Sequence, residues 1–239
     1  LSYKKLGYLL DDEDNFILDD NNNRIITNEF YANKWVVYGE GGIGSAENRI
    51  FSHFKKNTFS DFVKLDLPEF YGLDWGKNHI FGIVWCKYDQ YTNTIYCHEM
   101  NGKSENELES ELSEFQRKQV NTSNGGIIVY TCNKIGLRKD MTLVCDSSQP
   151  DSIFMLQDNG WNKAIGIDKP AGSVKFNISL LNSTNVVYTI ESNAIDSNYR
   201  NYRYDTDRLG KIDTPIKLDD DLIDPIMYVR RHIRNIGLG

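Results

Sequence analysis

The 239-residue chain carries 34 acidic and 27 basic side chains, a net charge of −7, and is 40% hydrophobic and 26% charged. This supplies apolar material for one large domain, or one domain with an extension, and excludes a polybasic, histone-like or membrane-surface protein. No apolar run approaches the ~18 residues a membrane-spanning helix needs, so no membrane partner is expected.

The opening Leu1-Ser2-Tyr3-Lys4-Lys5 turns quickly acidic and is no signal peptide, and a chain beginning on Leu reads as a fragment or a processed product. Residues 1–30 read as an acidic linker or N-terminal extension, hairpin-like or poorly ordered. Its runs Asp11-Asp12-Glu13-Asp14 and Asp19-Asp20-Asn21-Asn22-Asn23 offer little to bury. With seven acids against three bases the segment holds −4 of the net charge, leaving −3 on residues 31–239. No internal repeat is expected anywhere in the chain. Lys34-Trp35-Val36-Val37-Tyr38 then meets Gly39-Glu40-Gly41-Gly42-Ile43-Gly44. Glycine-rich loops cradle phosphates, but the Lys and Ser/Thr of a GxxxxGK[ST] loop are missing, so an ordinary turn is the better reading.

Phe70–Trp75, Ile80–Cys86 and Thr94–Glu99 alternate as strands joined by short turns, an antiparallel meander. Asn106–Val120 reads as one amphipathic helix, with Leu108, Leu112 and Phe115 on the apolar face and Glu107, Glu111 and Glu114 toward water. Thr142–Asp146 is a short apolar strand of the kind covered on both faces. A helix over Ser148–Asn159 follows, with Pro150 in its first turn and Gly160 at its end. Next come a strand at Ala164–Ile167, a helix at Ser173–Leu181, a strand at Val186–Ile190 and a short helix at Ser192–Tyr199. Tyr202–Tyr204 and Gly210–Ile212 flank a turn as a hairpin, and Leu222–Asn235 closes as a helix. A central mixed sheet, antiparallel meander then parallel strands, flanked by helices and followed by a hairpin and a helix, is the order of an RNase H-like α/β fold. Cys86, Cys97, Cys132 and Cys145 lack CxxC spacing and read as buried reduced thiols. His53, His79, His98 and His232 form no zinc signature.

Three acids stand out by position. Asp74 interrupts an apolar strand, Asp146 ends the buried strand Leu143–Cys145, and Asp224 lies in the apolar stretch Leu222–Met227. Burying even a neutral polar group without a partner costs about 2–7 kcal/mol, and no Arg or Lys adjoins Asp74 or Asp146 in sequence. Divalent cations would compensate. Oxygen ligands outside any Cys/His zinc pattern favour Mg²⁺ or Mn²⁺, and two such ions about 3.5–4 Å apart would support hydrolysis of a phosphodiester by an activated water. The plain alternatives are that Asp146 and Asp224 cap helices and that Asp219-Asp220-Asp221 complements a helix dipole.

These residues resemble the C-terminal nuclease domain of the large terminase subunit of tailed bacteriophages. Tyr71-Gly72-Leu73-Asp74-Trp75-Gly76 is similar to the family's first-strand motif, and Cys145-Asp146-Ser147-Ser148-Gln149-Pro150-Asp151-Ser152-Ile153 to its Asp-Ser-x-x-Pro-x-Ser-Ile segment. Lys169-Pro170-Ala171-Gly172-Ser173-Val174 resembles its turn before a helix. Asn201-Tyr202-Arg203-Tyr204 with Gly210-Lys211 resembles its aromatic-basic hairpin, and Leu222–Tyr228 its closing helix. Lys34–Tyr38 with Gly39-Glu40 resembles the segment joining ATPase to nuclease. The order is kept over about residues 31–235, so 31–239 is expected to be an RNase H-like nuclease domain.

The resemblance implies an Mg²⁺/Mn²⁺-dependent endonuclease, with two ions, that cuts concatemeric double-stranded viral DNA during genome packaging. Asp74, Asp146 and Asp224 fall on the catalytic, metal-ligand positions. Asp221 stands where the family has His and is an additional candidate ligand. Lys77-Asn78-His79 replaces Asn-Asp-Pro after the first motif, and Pro225 replaces a small helix former. No Walker A motif is present, so an ATPase domain is expected upstream in the parent protein. A portal and a small terminase subunit are the expected partners, and the host cytoplasm the location. Lys169, Lys175, Arg200, Arg203, Arg208 and Lys211, interleaved with tyrosines, are the expected DNA contacts. A solvated edge strand is the plain alternative for the hairpin residues. Two further functional readings are another RNase H-like nuclease, such as a junction resolvase or transposase, and a non-catalytic metal- or nucleic-acid-binding module. An actin-like or sugar-kinase fold lacks its second glycine-rich loop here.

Overall fold

The computed structural model of the chain describes residues 8–11, 13, 15–27, 32, 49–122, 124–207, 210–215 and 220–239. The chain divides into two compact units, one of Leu1–Ile50 with Arg203–Ile216 and one of Phe51–Tyr202 with Lys217–Gly239. Lys34–Tyr38 and the glycine-rich stretch 39–44 lie outside the described residues.

In the second unit, seven strands form one mixed sheet in the order β1-β7-β4-β3-β2-β5-β6. They are β1 (Lys55–Asn57), β2 (Glu69–Asp74), β3 (Ile80–Asp89), β4 (Thr94–Ser104), β5 (Thr142–Asp146), β6 (Ala164–Ile167) and β7 (Asn185–Thr189). β2, β3 and β4 are the antiparallel meander. β5 and β6 continue from β2 in parallel, while β7 and β1 continue in parallel from β4. Helices flank the sheet, as the RNase H-like order implies. Coverage on both faces explains why Leu143, Val144 and Cys145 are all buried in β5, where a half-exposed strand would alternate.

Helices α1 (Phe59–Lys64) and α4 (Gly126–Lys134) have no counterpart among the elements expected from sequence. In α4 the β-branched run Ile127-Ile128-Val129 between glycines conceals the helical period. Tertiary packing decides, burying these residues with Cys132 in the core that holds Tyr71 and Trp161. The single helix expected over Asn106–Val120 is instead two, α2 (Glu105–Ser110) and α3 (Glu114–Thr122). Two capping boxes account for the split. Ser104 Oγ accepts from the Glu107 amide while Glu107 reaches back to the Ser104 amide. Ser113 and Gln116 repeat the exchange at 2.9 and 3.3 Å. The second start rotates the helical face, so Leu108 and Leu112 are buried but Phe115 is 71% exposed.

The remaining helices are α5 (Pro150–Asp158), α6 (Ser173–Asn182), α7 (Asn193–Asn201) and α8 (Ile223–Asn235). The first amides of α7 are capped from a distance, Ala194 and Ile195 donating to Glu99 of β4 at 2.7 and 3.3 Å. Helix α8 packs on β2, β3 and β5 and against α6. Among the described residues no helix is long and apolar enough to cross a membrane.

The first unit corrects the expectation of no internal repeat. Residues 10–17, Leu-Asp-Asp-Glu-Asp-Asn-Phe-Ile, and 18–25, Leu-Asp-Asp-Asn-Asn-Asn-Arg-Ile, agree at five of eight positions. They fold alike. Asp11 accepts from the amides of Glu13 and Asn15 at 2.9 and 2.8 Å, and Asp19 from those of Asn21 and Asn23 at the same distances. Antiparallel bridges Tyr8↔Ile26, Leu10↔Phe16 and Leu18↔Arg24 join the pieces. The Arg24 guanidinium lies 4.1 Å from the Phe16 ring centroid. The hairpin of this unit pairs β8 (Tyr204–Asp207) with β9 (Gly210–Pro215).

Candidate active site

The parallel register of β2 and β5 pairs Gly72 with Val144 and Leu73 with Cys145. Side chains alternate between faces along a strand, so Gly72 and Asp74 share a face with Val144 and Asp146, the face covered by α8. Asp74 and Asp146 therefore end two adjacent parallel strands, the carboxyl-terminal edge where open α/β sheets bind ligands. Asp74, expected within its strand, is its last residue. Two glycines admit α8 to this edge. A Cβ on Gly72 would stand 2.4 Å from the Pro225 carbonyl oxygen, and one on Gly82 would stand 2.2 Å from that of Asp221.

Helix α8 begins at Ile223, so Asp224 and Pro225 occupy its first turn, where proline's missing N–H costs nothing. Asp224 and Tyr228, four residues apart, lie on one helix face. The Tyr228 hydroxyl is directed at Asp224 Oδ2 (3.1 Å) and Asp74 Oδ1 (3.4 Å). It accepts from Lys169 Nζ at 2.6 Å, and that ammonium also pairs with Asp146 Oδ2 at 2.8 Å. Asp74 and Asp146 share a hydrogen bond of their own. The Ser148 amide donates to Asp146 Oδ1 at 2.8 Å, and Trp75 Nε1 to the Asp146 carbonyl at the same distance. Asp146 thus holds the turn before α5 without being its N-cap, which is Gln149.

Asp74 and Asp146 differ in charge state. Burial, then the charges of Asp224 and Asp146, push the Asp74 carboxyl up to about 8. Burial works against the Asp146 carboxylate too, but its bonds to Lys169 and the Ser148 amide and the Lys169 charge carry it below the ordinary range. Burial and the surrounding carboxylates drive the Tyr228 hydroxyl far upward, so it stays protonated. Neither sequence neighbour of Asp146 is basic. Lys169 supplies the charge instead, delivered by β6, which runs parallel to β5 and ends two residues before it.

Among the described residues no group of three or more His, Cys, Asp or Glu side chains is arranged to hold a metal ion. The donor set nevertheless fits a hard cation. It is all carboxylate oxygen, and one ammonium offsets three acids closely enough coupled that Asp74 holds its proton. A divalent ion ligated by Asp146 would require Lys169 to leave that carboxylate.

The other expected residues are not gathered here. The Asp221 backbone lies over Gly82 beside the site. Lys175 is exposed on α6. Arg200 Nε pairs with Asp196 at 3.0 Å, a carboxylate also engaged by Lys56 at 2.8 Å. Arg203 is buried and bridged to Arg49, so it offers little surface to a ligand. Lys211 lies in β9, and Arg208 is outside the described residues. Tyr228, Trp75, Gly72 and Gly82 join the site without having been singled out by the sequence. The i, i+4 spacing from Asp224 was the available signal for Tyr228.

No protein-family model matches the chain, and no curated protein matches it. Solved structures do. The large-terminase nuclease domain of bacteriophage SPP1, solved with bound Mn, superposes with a TM-score of 0.59 at 21% identity, over 76% of this chain and 97% of that one. The nuclease domain of the P22 large terminase superposes with a TM-score of 0.51 at 15% identity, over 82% and 99%. The chain has the fold of these nuclease domains.

Proposed function

We propose that the protein is a metal-dependent endonuclease that cuts concatemeric double-stranded DNA during viral genome packaging, the nuclease part of a large terminase subunit. The observation that carries this is the meeting of Asp74, Asp146 and Asp224, from strands 72 residues apart and a helix 78 residues further on, at one sheet edge of a terminase-nuclease fold. In this reading Asp74, Asp146 and Asp224 hold two Mg²⁺ or Mn²⁺, and Asp221 is a further ligand. Bound, the ions supply an activated water and stabilise the leaving oxygen of the phosphodiester. The chain's own groups prepare that chemistry. Tyr228 fixes the Asp224 carboxylate, Trp75 and the Ser148 amide fix Asp146, and Asp74 gives up its proton as it takes on a ligand role. Lys169 neutralises the acids, and once released from Asp146 its ammonium is placed to meet a phosphate.

Residues 31–239 are taken as the nuclease domain, and 1–30 as an extension. The partners in this proposal are duplex DNA, a portal, a small terminase subunit and an upstream ATPase domain, in the host cytoplasm. Lys175, Arg200, Arg208 and Lys211 remain proposed DNA contacts, and buried Arg203 joins them only if DNA binding exposes it.

A plasmid-nicking assay tests the reading. Wild type is expected to nick supercoiled DNA with Mn²⁺ or Mg²⁺ and not with EDTA, and Asp74→Asn to lose at least a hundredfold while keeping its far-UV and near-UV circular dichroism. Full nicking by a folded Asp74→Asn would sink it. Preference for four-way junctions over linear duplex would move the assignment to a resolvase-like nuclease. The Lys169–Asp146 pair favours a second reading, a non-catalytic polar cluster, and absence of nicking with every metal would support it.

A further inference from the structure

Charge on the second unit is unevenly partnered. Lys56, Lys64, Lys87, Lys103, Arg138 and Arg200 all pair with acids. Several other cations of the unit, Lys55, Lys77, Lys118 and Lys134 among them, have no ion pair among the described residues, and the same holds on the face where α6 meets α8. Lys175 and Arg234 are exposed, Arg231 is half-buried, and among the described residues none of the three faces a carboxylate at ion-pair distance. The Arg231 Nη1 is buried with no hydrogen-bond partner. Both guanidinium groups lie beside Phe176 of α6, Arg231 Cζ 5.6 Å and Arg234 Cζ 4.8 Å from the ring centroid. Phe176 is itself 38% exposed. Stacking on an aromatic ring restrains an arginine while leaving its N–H edge free for a phosphate. Two arginines are thus gathered on one exposed ring, one of them with a buried N–H that meets no acceptor, and this arrangement needs a reason. Placing Arg234 in the last turn of α8 complements the helix dipole, but that explains neither Lys175 nor the exposed ring.

The face is continuous with the acid cluster. Asp224, Tyr228 and Arg231, at i, i+4 and i+7, lie along one stripe of α8, and Arg234 lies about 15 Å along the axis from Asp224 at ~1.5 Å per residue. Tyr228, at the middle of the stripe, carries Lys169.

We propose that Lys175, Phe176, Arg231 and Arg234 form the surface on which the phosphodiester backbone of duplex DNA lies as it enters the acid site. This rests on the nuclease reading. It places a DNA-binding surface on the same unit as the acids. The surface engages phosphates, so binding there is independent of base sequence and sensitive to salt.

The test measures duplex binding by fluorescence anisotropy from low to moderate salt, with the full chain carrying Asp74→Asn so that the probe stays intact. Adding Lys175→Gln and Arg234→Gln, two exposed positions, is expected to weaken binding at least tenfold at low salt. The slope of log K against log salt should become shallower by about 1.8, at ~0.9 for each phosphate no longer neutralised. In the otherwise wild-type chain the same pair should raise the KM for duplex cleavage and leave kcat at saturation nearly unchanged. Phe176→Leu should weaken binding with an unchanged slope, since it frees the arginines but keeps their charge. If wild type cleaves duplex while Lys175→Gln with Arg234→Gln leaves affinity and slope unaltered, the surface is wrong and the nuclease reading stands. If wild type neither binds nor cleaves duplex, the nuclease reading falls and the surface with it.

Discussion

Asp74 and Asp146 answer pH in opposite senses. Asp74 binds its proton more tightly in the folded chain, near 8 against an ordinary 3.8, so its contribution to stability is full at low pH and is lost as pH rises from about 4 to about 8. Asp146, held below its ordinary value by Lys169 and Ser148 against the cost of burial, contributes above about 4 and loses that contribution as pH falls. The two titrate as a coupled pair. In EDTA the melting temperature should decline between pH 5 and pH 8, and Asp74→Asn should flatten that decline. A variant that declines as steeply as wild type would assign the slope to other groups. At this scale the sequence was readable where chemistry and place coincide, since a short acid ending an apolar strand is conspicuous. Lys169 was not readable as the partner of Asp146, because only the β5–β6 register brings it 23 residues back to that carboxylate.

The elements were readable where local signals agree. The meander, β5, β6 and the closing helix follow from alternation and apolar runs. The misreading at Asn106–Val120 shows the limit, for an unbroken helical period hid two capping boxes that start separate helices. Helix α8 lies against the sheet for a reason only tertiary structure reveals, the missing side chains of Gly72 and Gly82. Because backbone carbonyls are the obstructing atoms, Gly82→Ala must move the start of α8. It should cost about 1–3 kcal/mol, the usual range for overpacking, measured by urea denaturation. It should also reduce nicking at least tenfold, because Asp224 is carried on the displaced turn. Unaltered nicking by the folded variant would show that the site tolerates a shift of that helix.

For the whole molecule, metal and fold should be linked. A cation bound by the folded chain alone stabilises it by about 2.7 kcal/mol at a hundred times its Kd, so Mn²⁺ should raise the melting temperature of wild type and not of Asp146→Asn. An equal shift in both would place the ion elsewhere. Net charge alone gives no sign of the proposed DNA partner, and the arrangement of charge explains why. The first thirty residues hold more of the excess acid than all the rest, and two arginines of α8 gather on the exposed ring of Phe176.

The strand order also sets a schedule for synthesis. β1, made early, pairs with β7, more than a hundred residues later, and the acid cluster closes only when α8 docks. Domains fold as their chains emerge from the ribosome at about 5–20 residues per second. A nascent chain that has reached β5 has Asp74 and Asp146 but neither Asp224, Tyr228 nor Lys169. A nuclease assembled in this way would be harmless to DNA until residues 223–235 are released, and prematurely terminated products would be inert.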